Sequence, residues 1–145
     1  MSYTYAYPRP SVTADIAIFS NNTDNQMILL IRRGNEPFKG QWALPGGFIE
    51  MDETLVATAA RELKEETGLT VPDLTQYRTY GDPGRDPRGR TIAVVFYGFA
   101  NPDNVSVAGG DDAADARWFP VDQLPALAFD HEKILKELTG YLGSR

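Results

Sequence analysis

The stretch Gly47-Phe48-Ile49-Glu50-Met51-Asp52-Glu53-Thr54-Leu55-Val56-Ala57-Thr58-Ala59-Ala60-Arg61-Glu62-Leu63-Lys64-Glu65-Glu66-Thr67-Gly68-Leu69 decides the fold. From about Thr54 its spacing predicts a helix to Thr67, ended by Gly68, a residue suited to the left-handed helix end. On a wheel of about 100° per residue starting at Leu55, the residues Leu55, Ala59, Leu63, Val56 and Ala60 fill an arc from zero to about 140°. That arc is the expected buried face. Glu65, Glu62 and Glu66 fall at about 280°, 340° and 20°, so Glu66 projects inside the edge of the apolar stripe with Glu62 beside it. A carboxylate at a core margin is costly to desolvate unless a cation or donor compensates it. Three glutamates at i, i+3 and i+4 also repel one another. A hard divalent cation such as Mg²⁺ resolves both problems with oxygen ligands.

Around this helix, β-branched and aromatic segments predict strands at Val12 to Phe19, Met27 to Ile31, Leu74 to Tyr80, Ile92 to Ala100 and Arg117 to Phe119, with a short one near Trp42 to Leu44. A second helix is expected from a cap at Asp130, with Ile134, Leu135, Leu138, Tyr141 and Leu142 on one face. Strands before, between and after two helices predict an α/β layered sandwich with a mixed sheet, in one domain spanning residues 1–145.

Composition bounds the chemistry. The chain has 145 residues, 42% of them hydrophobic and 23% charged, as in ordinary folded proteins. It has no cysteine, which removes disulfides, thiolate metal sites and a cysteine nucleophile. A net charge of −6 argues against a nucleic-acid polymer as partner, but not against a small anion held through a metal. No stretch is long and apolar enough to span a membrane, and Met1 to Ser11 lacks the layout of a secretory signal, so a cytoplasmic location is the default expectation.

Three loops stand out. Leu44-Pro45-Gly46-Gly47 carries two glycines that allow close backbone approach to a ligand. Gly81-Asp82-Pro83-Gly84-Arg85-Asp86-Pro87-Arg88-Gly89-Arg90 concentrates three arginines in an acidic chain. Ala108-Gly109-Gly110-Asp111-Asp112 clusters carboxylates, with Asp115 just beyond.

The pattern Gly47, five residues, Glu53, seven residues, Arg61-Glu62-Leu63, one residue, Glu65-Glu66, one residue, Gly68-Leu69 resembles the Nudix box at every defined position. The flanking Trp42-Ala43-Leu44-Pro45-Gly46-Gly47 and Arg117-Trp118-Phe119-Pro120 extend the resemblance over nearly the whole chain. It implies a Nudix-type α/β/α sandwich with the box as loop–helix–loop. It also implies Mg²⁺ or Mn²⁺ on Glu62, Glu65 and Glu66 with help from the Gly46 carbonyl, Glu53 orienting the helix and Arg61 holding a glutamate. The reaction implied is hydrolysis of a diphosphate, in which charge neutralisation and positioning dominate. Glu62 stands first as metal ligand or base, with Glu66 beside it; Asp112, Asp111 and Asp115 are the loop alternatives.

The arginine loop is similar to that of ADP-ribose pyrophosphatase-type Nudix proteins, with Arg85 and Arg90 as the preferred substrate contacts. Arg33 with Phe38 and Trp42 forms a second candidate surface for a base or ribose, although core packing serves Trp42 equally well. The substrate expected is ADP-ribose, cleaved to AMP and ribose 5-phosphate. Nucleoside triphosphates, dinucleoside polyphosphates, or an ADP-ribose-sensing module without turnover are the alternatives. Against sensing, the chain ends soon after the last helix, leaving no room for a DNA-binding domain. Proteins of this type are often homodimers, but no feature of the sequence marks an interface. His131, beside Asp130 and Glu132, reads as a solvated helix-terminal residue without a catalytic role.

Overall fold

A computed structural model describes residues 2–22, 24–102 and 113–143, with the side chains of 113 and 114 set aside. The elements run β1 (Ser11–Ser20), β2 (Met27–Arg33), β3 (Trp42–Ala43), β4 (Gly46–Phe48), α1 (Leu55–Thr67), β5 (Thr75–Tyr80), β6 (Thr91–Ala100), β7 (Ala113–Pro120) and α2 (His131–Gly143).

The sheet is mixed, as expected. Its path runs β3-β2-β1-β6-β5, with β4 added to β1 and β7 to β2. The β1 and β6 strands are parallel along their length, from Ser11↔Thr91 to Ser20↔Ala100, whereas the other pairings are antiparallel. Period-two alternation sorts the side chains into two layers. Ala14, Ile16 and Ile18 of β1 join Val94 and Phe96 of β6 beneath Ala59 and Leu63 of α1. Ala17 and Phe19 join Ala93, Val95 and Tyr97 beneath Ile134, Leu135 and Leu138 of α2. Helices therefore cover both faces, and the α/β/α sandwich holds.

Three elements differ from expectation. β7 is longer than Arg117 to Phe119 because it runs against β2 from Met27↔Pro120 to Arg33↔Ala113. The double glycine lies within a strand, β4, paired to β1 through Ala14↔Gly47 and Asp15↔Gly46. On α1 the buried face is rotated: Thr58, Ala59, Leu63, Glu66 and Thr67 are buried, whereas Val56 is exposed. Glu66 thus lies within the buried face. The helix ends match the sequence, with Thr54 Oγ1 accepting from Ala57 N at 3.1 Å and Gly68 in the left-handed region at φ 78°.

Candidate active site

A cavity of about 420 Å³ opens where the C-terminal half of α1, β1, the β3–β4 turn, the arginine loop and the start of α2 converge. Its wall has two chemically distinct ends.

The acidic end is built on α1. Thr54 starts the helix, and helical spacing then brings Arg61, Glu62, Glu65 and Glu66 to adjacent turns. Arg61 is the hub. Its Nε and Nη2 grip Glu53 at 2.7 and 3.0 Å, and its Nη1 reaches Glu62 at 2.8 Å and Glu65 at 3.1 Å. Thr58 Oγ1 adds a bond to Glu53 at 2.8 Å. These hydrogen bonds from Arg61 and Thr58 hold the Glu53 carboxyl down at about 2, and Glu53 in turn pushes the Arg61 guanidinium up. Glu66 accepts from Gly46 N at 2.7 Å.

The double glycine explains how the strand and helix fit together. A Cβ at Gly47 would meet the Glu62 carboxylate, and one at Gly46 would meet Asp15 and the Ala14 carbonyl, all inside van der Waals contact. The close approach that these glycines permit is therefore to the protein's own carboxylates.

The donor chemistry suits a hard cation. Glu50, Glu53, Glu62 and Glu65 all lie within ion-pairing distance of the single Arg61, with Glu66 adjacent, so negative charge is in excess. Glu62, Glu66 and Gly46 line the cavity and offer only oxygen ligands. Among the described residues no three acidic or histidine side chains are already gathered around one point. Arg61 draws Glu62 and Glu65 toward itself, and Glu65 is 40% exposed and outside the cavity wall.

The rest of the lining is rich in arginine and aromatic rings. Arg85 is buried, with its side chain only 5% exposed, and clasps Asp130 bidentately at 2.6 and 2.8 Å. Arg88 clasps the buried Asp86 in the same way, and its guanidinium lies 4.8 Å from the Phe48 ring centre and 5.0 Å from that of Phe129. Arg33 approaches the Phe129 ring at 5.0 Å. Asp15 and His131 also line the cavity, Oδ2 and Nε2 being 3.8 Å apart. Burial pushes Asp15 up to about 7 against the pull of Arg85, and burial pushes His131 down to about 4. At neutral pH the ring is therefore uncharged.

A NUDIX domain model matches residues 10–138. This chain belongs to the Nudix family. Over 131 residues it is 46% identical to the ADP-ribose pyrophosphatase of Methanocaldococcus jannaschii, covering 90% of this chain and 74% of that one. It is 38% identical over 143 residues to the ADPR responsive transcriptional repressor NtrR of Acinetobacter baylyi, covering 96% of this chain and 57% of that one. The NUDIX domain of Shewanella oneidensis NrtR, solved in complex with ADP ribose, superposes with a TM-score of 0.87 at 31% identity, over 94% of this chain and 91% of that one. The chain spans little more than half of the repressor. The Nudix family membership and the archaeal relative identify a Nudix pyrophosphohydrolase.

Within this Nudix site, the structure brings Glu62, Glu66, Gly46, Arg33 and Arg85 to one cavity. Others lie elsewhere. Arg90 donates to Gly81 O at 2.8 and 3.2 Å, closing the base of its own loop outside the cavity. Trp42 packs edge-on against Phe119 at 4.7 Å, and Phe38 against Phe129 at 4.9 Å. Asp115 accepts from Ala116 N and pairs with Arg117, away from the cavity lining. Asp111 and Asp112 lie outside the described residues. His131 requires correction: it is 4% exposed and accepts from Leu44 N at 3.0 Å, so it is a buried, partnered residue. Sequence reading also missed Asp15, Asp86, Arg88 and Phe129. The nearest available signal was Arg88, one of three arginines in the loop that had already been singled out.

Proposed function

We propose that this Nudix protein hydrolyses ADP-ribose to AMP and ribose 5-phosphate with a divalent cation, Mg²⁺ or Mn²⁺. The observation that carries the reading is the two-ended cavity: carboxylates in excess of guanidinium at α1, and Arg33 and Arg88 with Phe48 and Phe129 across from them. The likeness to an archaeal ADP-ribose pyrophosphatase and to an ADP-ribose-bound domain supports the same substrate.

A bound cation would neutralise the diphosphate charge that otherwise repels a nucleophile. Glu62, Glu66 and the Gly46 carbonyl would hold it, with Glu65 within reach of the same helix face. Glu53 and Arg61 keep those carboxylates in place. A water oxygen attacks one phosphorus, the bond from that phosphorus to the bridging oxygen breaks, and a carboxylate takes the proton. Glu62 is the favoured base, with Asp112 and Asp111 as the alternatives. Arg88 and Arg33 supply donors for the nucleotide, and the aromatic rings a surface for base or ribose.

The test is incubation of purified protein with Mg²⁺ and a panel of ADP-ribose, nucleoside triphosphates and dinucleoside polyphosphates, with the products resolved by chromatography. The expected result is AMP and ribose 5-phosphate in equal amounts, abolished by EDTA. Turnover of a triphosphate alone would refute the substrate and keep the reaction class. A second reading, ADP-ribose sensing, is favoured by the likeness to the Acinetobacter repressor. Under that reading ADP-ribose binds with a measurable affinity and no AMP appears.

A further inference from the structure

The turn between β3 and β4 carries the backbone of the acidic end, and three hydrogen bonds locate it. Gly46 N donates to Glu66 Oε1 at 2.7 Å, and Pro45 O accepts from Ile16 N at 2.8 Å. The third bond crosses the molecule: Leu44 N donates to His131 Nδ1, buried, at 3.0 Å, from 87 residues away in sequence. A ring nitrogen that accepts from an N–H carries no proton, so the proton resides on Nε2. Burial, with His131 only 4% exposed, keeps the ring in this form by pushing it down to about 4. The residue just before it, Asp130, takes Arg85 of the arginine loop. Adjacent residues at the head of α2 thus tie down both loops that face the cavity.

We propose that His131 is a positioning residue for the carboxylate site, fixing through Leu44 the turn whose Gly46 N–H aims Glu66. The proposal rests on the reading of the α1 carboxylates as the cation site. It separates the two ends of the cavity: loss of the His131 acceptor disturbs cation binding and turnover, while the nucleotide contacts of Arg88, anchored to Asp86 instead, stay in place. A group that only filled space would be replaceable by leucine. The acceptor role is met by asparagine, whose Oδ1 stands where Nδ1 does, and not by glutamine, whose polar atoms reach the Nε2 position.

The experiment compares wild type with His131→Asn, His131→Gln and His131→Leu. Mn²⁺ binding is titrated calorimetrically, kcat and KM are measured on whichever nucleotide the wild type turns over, and thermal unfolding is followed on each protein. The expected result is Mn²⁺ binding weakened about tenfold in the Gln and Leu variants, in the range seen when an outer partner of a metal ligand is lost. Their kcat falls with KM within about twofold, and Asn recovers most of both losses. The Asn and Gln contrast carries the test should the Leu variant not fold. Equal Mn²⁺ affinity in Asn, Gln and wild type would overturn the proposal, as would Asn failing as fully as Gln. A wild type that binds no Mn²⁺ would overturn the cation-site reading itself.

Discussion

Two arginine–carboxylate clusters face one cavity, and they are balanced in opposite ways. At α1, one guanidinium, that of Arg61, pairs with Glu53, Glu62 and Glu65, with Glu66 and Glu50 close by. In the arginine loop, Arg85 ion-pairs with Asp130 and Arg88 with Asp86, one carboxylate to each guanidinium. The first cluster holds more carboxylates than guanidinium, an excess that a cation can offset. The second is neutral as it stands, and serves by holding a loop in place and presenting a stacked guanidinium. Electrostatic balance, more than the count of charged residues, separates the part suited to a cation from the part that shapes the pocket.

Glu66→Gln gives the largest expected effect on this contrast. It keeps an acceptor for Gly46 N while removing charge, so turnover of ADP-ribose should fall at least about a hundredfold with melting temperature little changed. Steady-state kinetics and thermal melts check this; unchanged turnover would mean that the charge excess at α1 has no catalytic use.

Arg85→Ala comes next and should act on stability. Removing one partner of a buried pair strands Asp130, at a cost of about 3 kcal/mol read by chemical denaturation. Arg88→Ala is smaller and falls on binding: KM should rise about tenfold with kcat nearly constant, the loss of one charge-assisted contact. Arg90→Ala, serving as its control, should change KM less than about twofold, within the scatter of neutral surface substitutions.

The smallest effect concerns Asp15 and His131. His131 in the folded protein lies near 4, below its ordinary 6.5, so by itself it lowers stability as pH falls from 6.5 toward 4. Asp15 lies near 7 in the folded protein, above its ordinary 3.8, so it lowers stability as pH rises over the same interval. One proton is then bound in both folded and unfolded states, and the pair contributes a flat profile. In Asp15→Asn only the histidine remains: stability measured in EDTA should fall by about 1 kcal/mol per pH unit between pH 6 and pH 4.5 relative to wild type. Parallel profiles would show that the pair does not exchange a proton on unfolding.

The two clusters also differed in how far the sequence disclosed them. Helical spacing is local and fixed, so Arg61, Glu62, Glu65 and Glu66 could be placed on neighbouring turns, and Gly68 read as the helix end. The wheel set Glu66 inside the edge of the apolar stripe, where Gly46 N satisfies it; it counted Val56, which is exposed, and did not place Thr58, which is buried because its hydroxyl donates to Glu53 outside the helix. The loop offered no such rule. Arg85 and Arg90 looked alike, but a partner 45 residues distant, Asp130, took one into the interior, while Gly81 O kept the other at the loop's base. His131 was misread for the same reason, its partner being a backbone N–H on another layer. The layered α/β order was legible because strands stand before, between and after the two helices, and the α/β/α arrangement followed from the resemblance carried by the box.

The central claim is that the α1 carboxylates hold a cation against a diphosphate. Crystals of the protein grown with Mn²⁺ and ADP-ribose, measured for anomalous scattering, test it most directly. The account predicts a manganese peak within bonding distance of Glu62 and Glu66, with the diphosphate between that peak and Arg88. A peak elsewhere in the molecule, or ADP-ribose bound with its diphosphate turned away from α1, would contradict it.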